Sequence, residues 1–471
     1  MNDTVFPFSV FGRKIGSVSS RVIYTELLKI IIPAGIELIL IQTVSMFDQI
    51  QVGSIGKYAT NAVGLVTQIR MLFNTIFISI NIGVTVLVAR AQGREDGQEV
   101  KRILQHGLVL ILTISLLSTA IVMLFPGLLF HIIGFPDETS RAYALAYLRI
   151  CVLTFVPAAI SSTITAALRG MGNTVIPCVY NTIANVCNIF LNWVLINGNL
   201  GFPRLGVEGA AIATVVSILL GFFISLGILL SDRFGLRICL VRSFNDLEID
   251  CLKYILRIGL PSLLEQMIVR TGLILFTRIV ATLGTDMYAA HMICLNIQML
   301  TYMNGMAFSV ASTTKMGQCL GAENEEMAAL YCQYCARMCC ALSSLLTIAY
   351  FFYGRSLIML YNRDSVVIAM GIVPLKIMAF QQPLSALQYV FFGALRGAGD
   401  VKHTAKITAI TTFLIRPTVA FLLVRYTSLG LVGAWIAMVA DQSISTTLLC
   451  LRFCSGKWRY VFVEQNRLPL S

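Results

Sequence analysis

Charge is scarce in this chain. Only 12% of its 471 residues are Asp, Glu, Lys or Arg, about half the share typical of a soluble domain. A large water-facing surface is thereby excluded, because a core of this size would still need a polar cover. Histidine is rarer still. His106, His131, His291 and His403 are scattered without metal-ligand spacing, and neither an HExxH nor a paired-aspartate catalytic pattern occurs. No Walker-type phosphate loop is present. The chain therefore reads as a non-enzyme, with a membrane-embedded enzyme only a distant alternative. The first 26 residues lack the apolar stretch of a cleaved signal peptide. Cys332 and Cys335 form a CxxC with no second pair or histidine to complete a metal or redox site, so they read as small apolar fillers.

What remains is apolar. Hydrophobic residues make up 57% of the chain, and they run in blocks such as "LVLILTISLLSTAIVMLFPGLLF" at 108–130. That block exceeds the roughly 20 residues that carry a helix across a bilayer. The short alternating segments of a β-barrel are absent. The pattern predicts an all-α polytopic membrane protein with twelve transmembrane helices, at 27–52, 61–89, 103–125, 144–168, 174–197, 208–231, 255–282, 288–314, 327–352, 366–394, 404–425 and 430–452. The net charge of +12 could suit nucleic acid, but most of the Lys and Arg fall in loops on one side of these spans. The positive-inside rule accounts for that distribution, so no nucleic-acid partner is expected. It places both termini in the cytoplasm of a multi-pass plasma-membrane protein. The expected organisation is a cytoplasmic segment 1–26, a six-helix lobe 27–231, a cytoplasmic linker 232–254, a second lobe 255–453 and a tail 454–471.

The second lobe repeats the first. "IIPAGIELILIQTVSMFDQIQVGSIG" (31–56) matches "GLPSLLEQMIVRTGLILFTRIVATLG" (259–284) at an offset of 228, pairing Pro33 with Pro261 and Glu37 with Glu265. "ALRGMGN" (167–173) returns as "ALRGAGD" (394–400), and "GVEGAAIA" (206–213) resembles "GLVGAWIA" (430–437). Six spans per copy is an even number, so the copies enter the membrane in the same sense. They form two six-helix bundles related by a pseudo-two-fold axis along the membrane normal, an arrangement common in secondary transporters. Glycine lets the ALRGxG chain turn sharply and lets helices approach closely. Arg169 and Arg396 fall near helix C-termini at the cytoplasmic interface, where cations are favoured, and read as structural.

The paired ALRGxG phrases, the six-plus-six repeat and "MFDQIQVG" (46–53) resemble the multidrug and toxin extrusion (MATE) family over about residues 25–455. The resemblance implies export of organic cations and drugs, driven by inward Na⁺ or H⁺ through alternating access. It implies no cofactor beyond that coupling ion. A flippase for anionic lipid-linked oligosaccharide, from the same superfamily, is the close alternative, and Arg70, Arg270 and Arg278 keep it open. Expected partners are small cationic or amphipathic substrates and membrane lipid, with the monomer as the functional unit.

The repeat is broken at one conspicuous point. Asp48 in the first span has Phe276 as its counterpart. A carboxylate inside a span is expensive and functional by default. At 1.5 Å per residue it lies about 22 Å beyond Pro33, in the outer half of the membrane. "YNTIANVCNIFLNW" (180–193) adds Asn181, Asn185, Asn188 and Asn192 at steps of four, three and four, which is one helix face. The second copy has Thr408, Thr412, Ile415 and Val419 there. A hydrated chamber around Asp48 is expected in the first lobe. In the resembled family this chamber holds the coupling ion, which would map here to Asp48, Asn188, Asn192 and Thr214. Many relatives carry an aspartate where this chain has Asn192. The set could hold Na⁺ at Asp48, Asn188 and Asn192, or Asp48 could act alone as a protonatable group.

The symmetric Glu37 and Glu265 are candidates for the substrate cavity, along with Gln42, Asn181, Gln266, Arg270, Asn296 and Asn304. Met287, Met292, Met299, Met303 and Met306 could form an adaptable drug surface, although lipid-facing filler explains most of them. Arg416 and Asp441 fall about 14–16 Å below the outer turn between the last two spans, and buried charges pair, so they should form a structural salt bridge. The topology has a direct check: single cysteines placed at either terminus should react with an impermeant maleimide only when the cytoplasmic side is open.

Overall fold

The computed structural model describes residues 20–53, 57–133, 138–231 and 248–461. The expected N-terminal segment up to residue 19, most of the linker and the tail beyond residue 461 lie outside the described residues. The elements are helical throughout: α1 (Ser20–Gly53), α2 (Lys57–Gly93), α3 (Gly97–Leu124), α4 (Pro126–Ile133), α5 (Glu138–Cys151), α6 (Phe155–Gly170), α7 (Val175–Asn197), α8 (Gly206–Leu230), α9 (Ile249–Ala281), α10 (Thr285–Gly321), α11 (Glu325–Met359), α12 (Ser365–Gly397), α13 (Val401–Thr408), α14 (Arg416–Tyr426) and α15 (Gly430–Cys454). A single turn of 3₁₀-helix joins α5 to α6, and a π-helical stretch, Ala409–Ile415, joins α13 to α14. Counting each joined pair once and setting the short α4 aside leaves twelve long rods in two sets of six. Ten of them, all but α9 and α10, are long and apolar enough to cross a membrane.

Sequence explains several boundaries. Asp96 accepts hydrogen bonds from the Gln98 and Glu99 amides and so starts α3. Pro126 opens α4 directly after α3 stops, since proline suits the first turn of a helix and cannot continue one. The π-helical widening ends at Arg416-Pro417, where the missing proline N–H has already interrupted the regular ladder.

Two compact units divide the chain. One spans Ile32–Gln266. Its core joins α2, α3 and α5–α6 through Ile69, Phe73, Phe77, Leu104, Ile111, Phe155 and Ile164, and the Phe73 and Phe155 rings lie 5.5 Å apart. The other takes in the chain up to Ile31 and from Met267 onward. Its core joins α9, α10, α12 and α15 through Phe276, Cys294, Met378 and Trp435. Sequence placed the lobe boundaries outside the helices, but these units change over inside α1 and α9. Glu26 of α1 accepts from Lys315 Nζ at 2.6 Å and from the Tyr331 hydroxyl. At the start of α9, the Glu248 amide donates to His106 Nε2 at 2.9 Å, and Ile255 joins the core of α2 and α3. Hydropathy marks where a helix crosses; it does not say which bundle receives its first turns.

The doubled ALRGxG phrase performs the same two tasks in each unit. A Cβ on Gly170 would sit 2.7 Å from the Thr85 carbonyl oxygen, and one on Gly397 would sit 2.5 Å from that of Thr313. The first glycine of each phrase therefore lets its helix press on the unit's second helix. Thr85 Oγ1 donates to Ala166 O and Thr313 Oγ1 to Gly393 O, at 3.0 and 2.9 Å. The second glycine, Gly172 or Gly399, takes φ of 87° or 81° to end the helix. Gly170→Ala and Gly397→Ala should each destabilise by about 1–3 kcal/mol through overpacking, measurable as matched losses of thermal stability in detergent. A loss in one variant alone would break the equivalence.

Candidate functional site in the Ile32–Gln266 unit

Helices α1 and α7 run in the same direction and carry two polar rungs. In the outer rung, Asn192 Nδ2 donates to Asp48 Oδ1 at 2.5 Å and to Asn188 Oδ1 at 3.2 Å. Asn192 and Asn188 are 1% and 6% exposed, and Asp48 is half-buried. The carbonyl oxygen of Asn192 is buried without a hydrogen-bond partner. In the inner rung, eleven residues earlier on both helices, Asn181 Nδ2 donates to Glu37 Oε1 at 2.6 Å. Eleven residues make about three turns, or some 16 Å. The asparagine row thus serves two separate acids.

The outer rung is a chamber built by five helices. Arg70 of α2 attracts Asp48 electrostatically and also acts on Tyr147 and Cys151 of α5. Tyr147 lies close to Thr214 of α8, and Thr214 Oγ1 donates to Ala210 O at 2.9 Å. Asp48 and the amide oxygens of Asn188 and Asn192 supply the hard donors that an alkali cation accepts, and Asp48 can instead take a proton. Sequence reasoning assigned Asp48, Asn185, Asn188, Asn192 and Thr214 to one cation-coupling chamber, without Arg70 and Tyr147. An arginine inside span 61–89 was the available signal for the first.

The inner rung differs from the expectation of an acid lining a cavity. Glu37 is 2% exposed, and its second oxygen lies 2.9 Å from Arg169 Nη2. Its charge is already met by the arginine of the first ALRGxG phrase. Arg169 was expected only as an interface residue at a helix end; here it bridges α6 to α1. The side chain of Asn185 makes no hydrogen bond among the described residues, and neither do those of Gln42, Gln266, Asn296 or Asn304. Glu265 is 1% exposed, Arg270 and Asn296 are exposed, and Gln42, Gln266 and Asn304 are intermediate.

The other unit holds a polar ladder that sequence reasoning missed. Gln442 of α15 accepts from both Gln381 and Ser385 of α12, and Gln388 donates to Ser445 at 2.9 Å. Gln381, Ser385 and Gln388 show the same four-and-three spacing as the asparagines, which was the overlooked signal. The expected pair forms beside it, with Arg416 Nη2 lying 2.5 Å from Asp441 Oδ2. Arg396 rests over the Phe392 ring at 4.3 Å.

Two six-helix units with a lone carboxylate in an intramembrane chamber define a membrane transporter, and comparison with known proteins gives its family. The MatE family profile matches residues 33–194 and, again, 261–422. A probable multidrug resistance protein NorM from Thermotoga maritima is 31% identical over 452 residues, 96% of each chain. A solved structure of MATE in the bent conformation superposes with a TM-score of 0.85 at 22% identity, over 94% of this chain and 97% of that one. A MOP superfamily transporter from Pyrococcus furiosus, described as having a binding pocket of reverse polarity, gives a TM-score of 0.84 at 21% identity, over 93% and 96%. The chain belongs to the MatE family of multidrug transporters.

The two rungs should respond differently to neutralisation. Glu37→Gln removes the carboxylate charge that meets Arg169 and should lower stability by about 3–5 kcal/mol, as breaking a buried ion pair does. Asp48 has no ion-pair partner within 4.0 Å among the described residues, so Asp48→Asn should leave the melting temperature level or raise it. Thermal unfolding of both variants in one detergent checks the contrast; equal losses would contradict it.

Proposed function

We propose that this protein exports organic cations and other amphipathic drugs in exchange for inward Na⁺ or H⁺. The observation carrying this reading is the Asp48 chamber: one carboxylate inside a span, met by a buried amide and faced by a positive side chain. The NorM relative's name supports the cargo class. Drug enters from the cytoplasm, and rocking of the two lobes exposes it outside. Cation binding at Asp48, with Asn188 and Asn192 supplying oxygens, removes the uncompensated negative charge. Asn192 Nδ2 is then free to turn its amide, and α1 and α7 repack. A lobe with Asp48 charged differs in energy from one with it neutralised, and coupling needs that difference.

The available energy is sufficient. One inward charge crossing about 100 mV supplies about 2.3 kcal/mol. A tenfold ion gradient adds about 1.4 kcal/mol. Together they support a gradient of roughly 500-fold for a neutral drug, while a monovalent cation exchanged one for one feels only the chemical part. The plasma membrane is the location, and the single chain is the working unit.

The test uses proteoliposomes loaded with a fluorescent cationic dye, with Na⁺ and H⁺ gradients imposed separately. Wild type should move dye against its gradient under at least one of them, and Asp48→Asn should lose at least about 90% of that movement, as expected when an intramembrane functional charge is removed. Dye indifferent to both gradients overturns antiport. Transport of an anionic lipid-linked sugar in its place would favour the flippase reading.

A further inference from the structure

The counterpart of the Asp48 position is not simply apolar. Phe276 occupies it in the repeat, and the Phe276 ring meets that of His291 of α10 edge-on, with centroids 5.6 Å apart. On another side His291 meets Trp435 of α15, at 5.8 Å. Trp435 falls opposite Ala211 in the repeat, three residues before Thr214 on the first copy's helix. His291 is six residues inside the start of α10 and Asp48 five residues inside the end of α1. Both therefore lie about 8–9 Å from the outer ends of their helices.

His291 and Trp435 are each 0% exposed. Among the described residues, neither ring nitrogen of His291 has a hydrogen-bond partner, nor does Trp435 Nε1. A neutral imidazole offers one donor and one acceptor, so this packing leaves three buried polar atoms unmet. Apolar side chains could fill the same space without that penalty. The surroundings supply no charge. Among the described residues nothing charged on α9, α10, α14 or α15 acts on the ring, Arg278, Asp286, Arg416 and Asp441 included. The titratable members of the cluster are Tyr288, Cys294 and Tyr350. Cys294 donates to Gly371 O on α12 at 3.5 Å, and the Tyr350 hydroxyl of α11 sits 2.7 Å from Thr301 Oγ1.

We propose that His291 is a second proton-binding site, in the other unit from Asp48 and at a similar depth along its helix. The proton comes from water, bonds to the free ring nitrogen and returns to water; no other bond changes. In the observed packing an imidazolium would have no acceptor, so the ring takes its proton when the Phe276–His291–Trp435 contact opens to water. Proton occupancy and packing are thereby linked, the differential binding that coupling requires. A carboxylate in one unit and an imidazole in the other would then each bind a cation or proton at similar depth.

The role in transport rests on the antiport reading, but proton binding itself can be tested without it. Full-length protein with ¹⁵N-labelled histidine, in lipid nanodiscs, would be titrated over about pH 3–8, extending below the range in which a solvated imidazole changes charge, with and without the cationic dye. The His291 nitrogens are identified by their loss in His291→Gln. The expected result is conversion from a neutral to a charged ring on acidification, with dye moving the midpoint. A ring that stays neutral under every condition overturns the proposal. In proteoliposomes His291→Phe, which keeps an aromatic filler, should flatten the pH dependence of dye export by roughly tenfold. An unchanged pH profile equally overturns the coupling role. If wild type moves no dye at all, the antiport reading fails, while the nitrogen titration still decides the site.

Discussion

Asp48 is the constraint around which the N-terminal chamber is organised. An ionised carboxylate inside the bilayer is stabilised only by donors or opposite charge held close to it. Here the donor is one buried amide, Asn192, and the charge is Arg70, near enough to attract but outside ion-pair distance. That is less than a resting ion pair provides, and Asn192 keeps an unmet oxygen of its own. In the proposed mechanism this incompleteness is the function: the site is better satisfied with a cation than without one.

Glu37 shows the alternative. The same two helices carry it three turns deeper, the same residue type donates to it, and yet Arg169 closes the arrangement. Arg416 and Asp441 do likewise in the other unit. Charge-paired groups lock helices together. Partly paired ones leave an equilibrium that a small ligand can shift. The molecule uses both, for different ends.

The scaffold beneath these groups is built from close backbone approach. Without a hydrophobic driving force between helices in lipid, small residues and carbonyl contacts decide which helices touch. Gly170 on Thr85 and Gly397 on Thr313 are the repeated instance. Gly272, whose Cβ would meet the Thr412 carbonyl at 2.5 Å, adds one against the π-helical stretch. The duplicated phrase thus keeps the two copies alike in frame while their chambers diverge.

Much was legible before any coordinates. Hydropathy and the repeat together predicted twelve rods, ten of which are long and apolar enough to cross a membrane, because the thickness of a bilayer and the rise of a helix set the run length. The even repeat gave two bundles, and depth along the helices paired Arg416 with Asp441. Spacing of 3.6 put the asparagines on one face and, applied once more, would have found Gln381, Ser385 and Gln388. Other features depended on partners far away in sequence. Nothing local to Glu37 says that Arg169 will neutralise it, to Arg70 that it will face Asp48, or to His291 that two aromatic rings will enclose it. Periodicity reports which side of a helix a residue occupies; only packing decides what that side meets. Where the first turns of α1 and α9 belong was likewise settled by packing, since a chain that crosses a membrane reveals its crossing to hydropathy but not its neighbours.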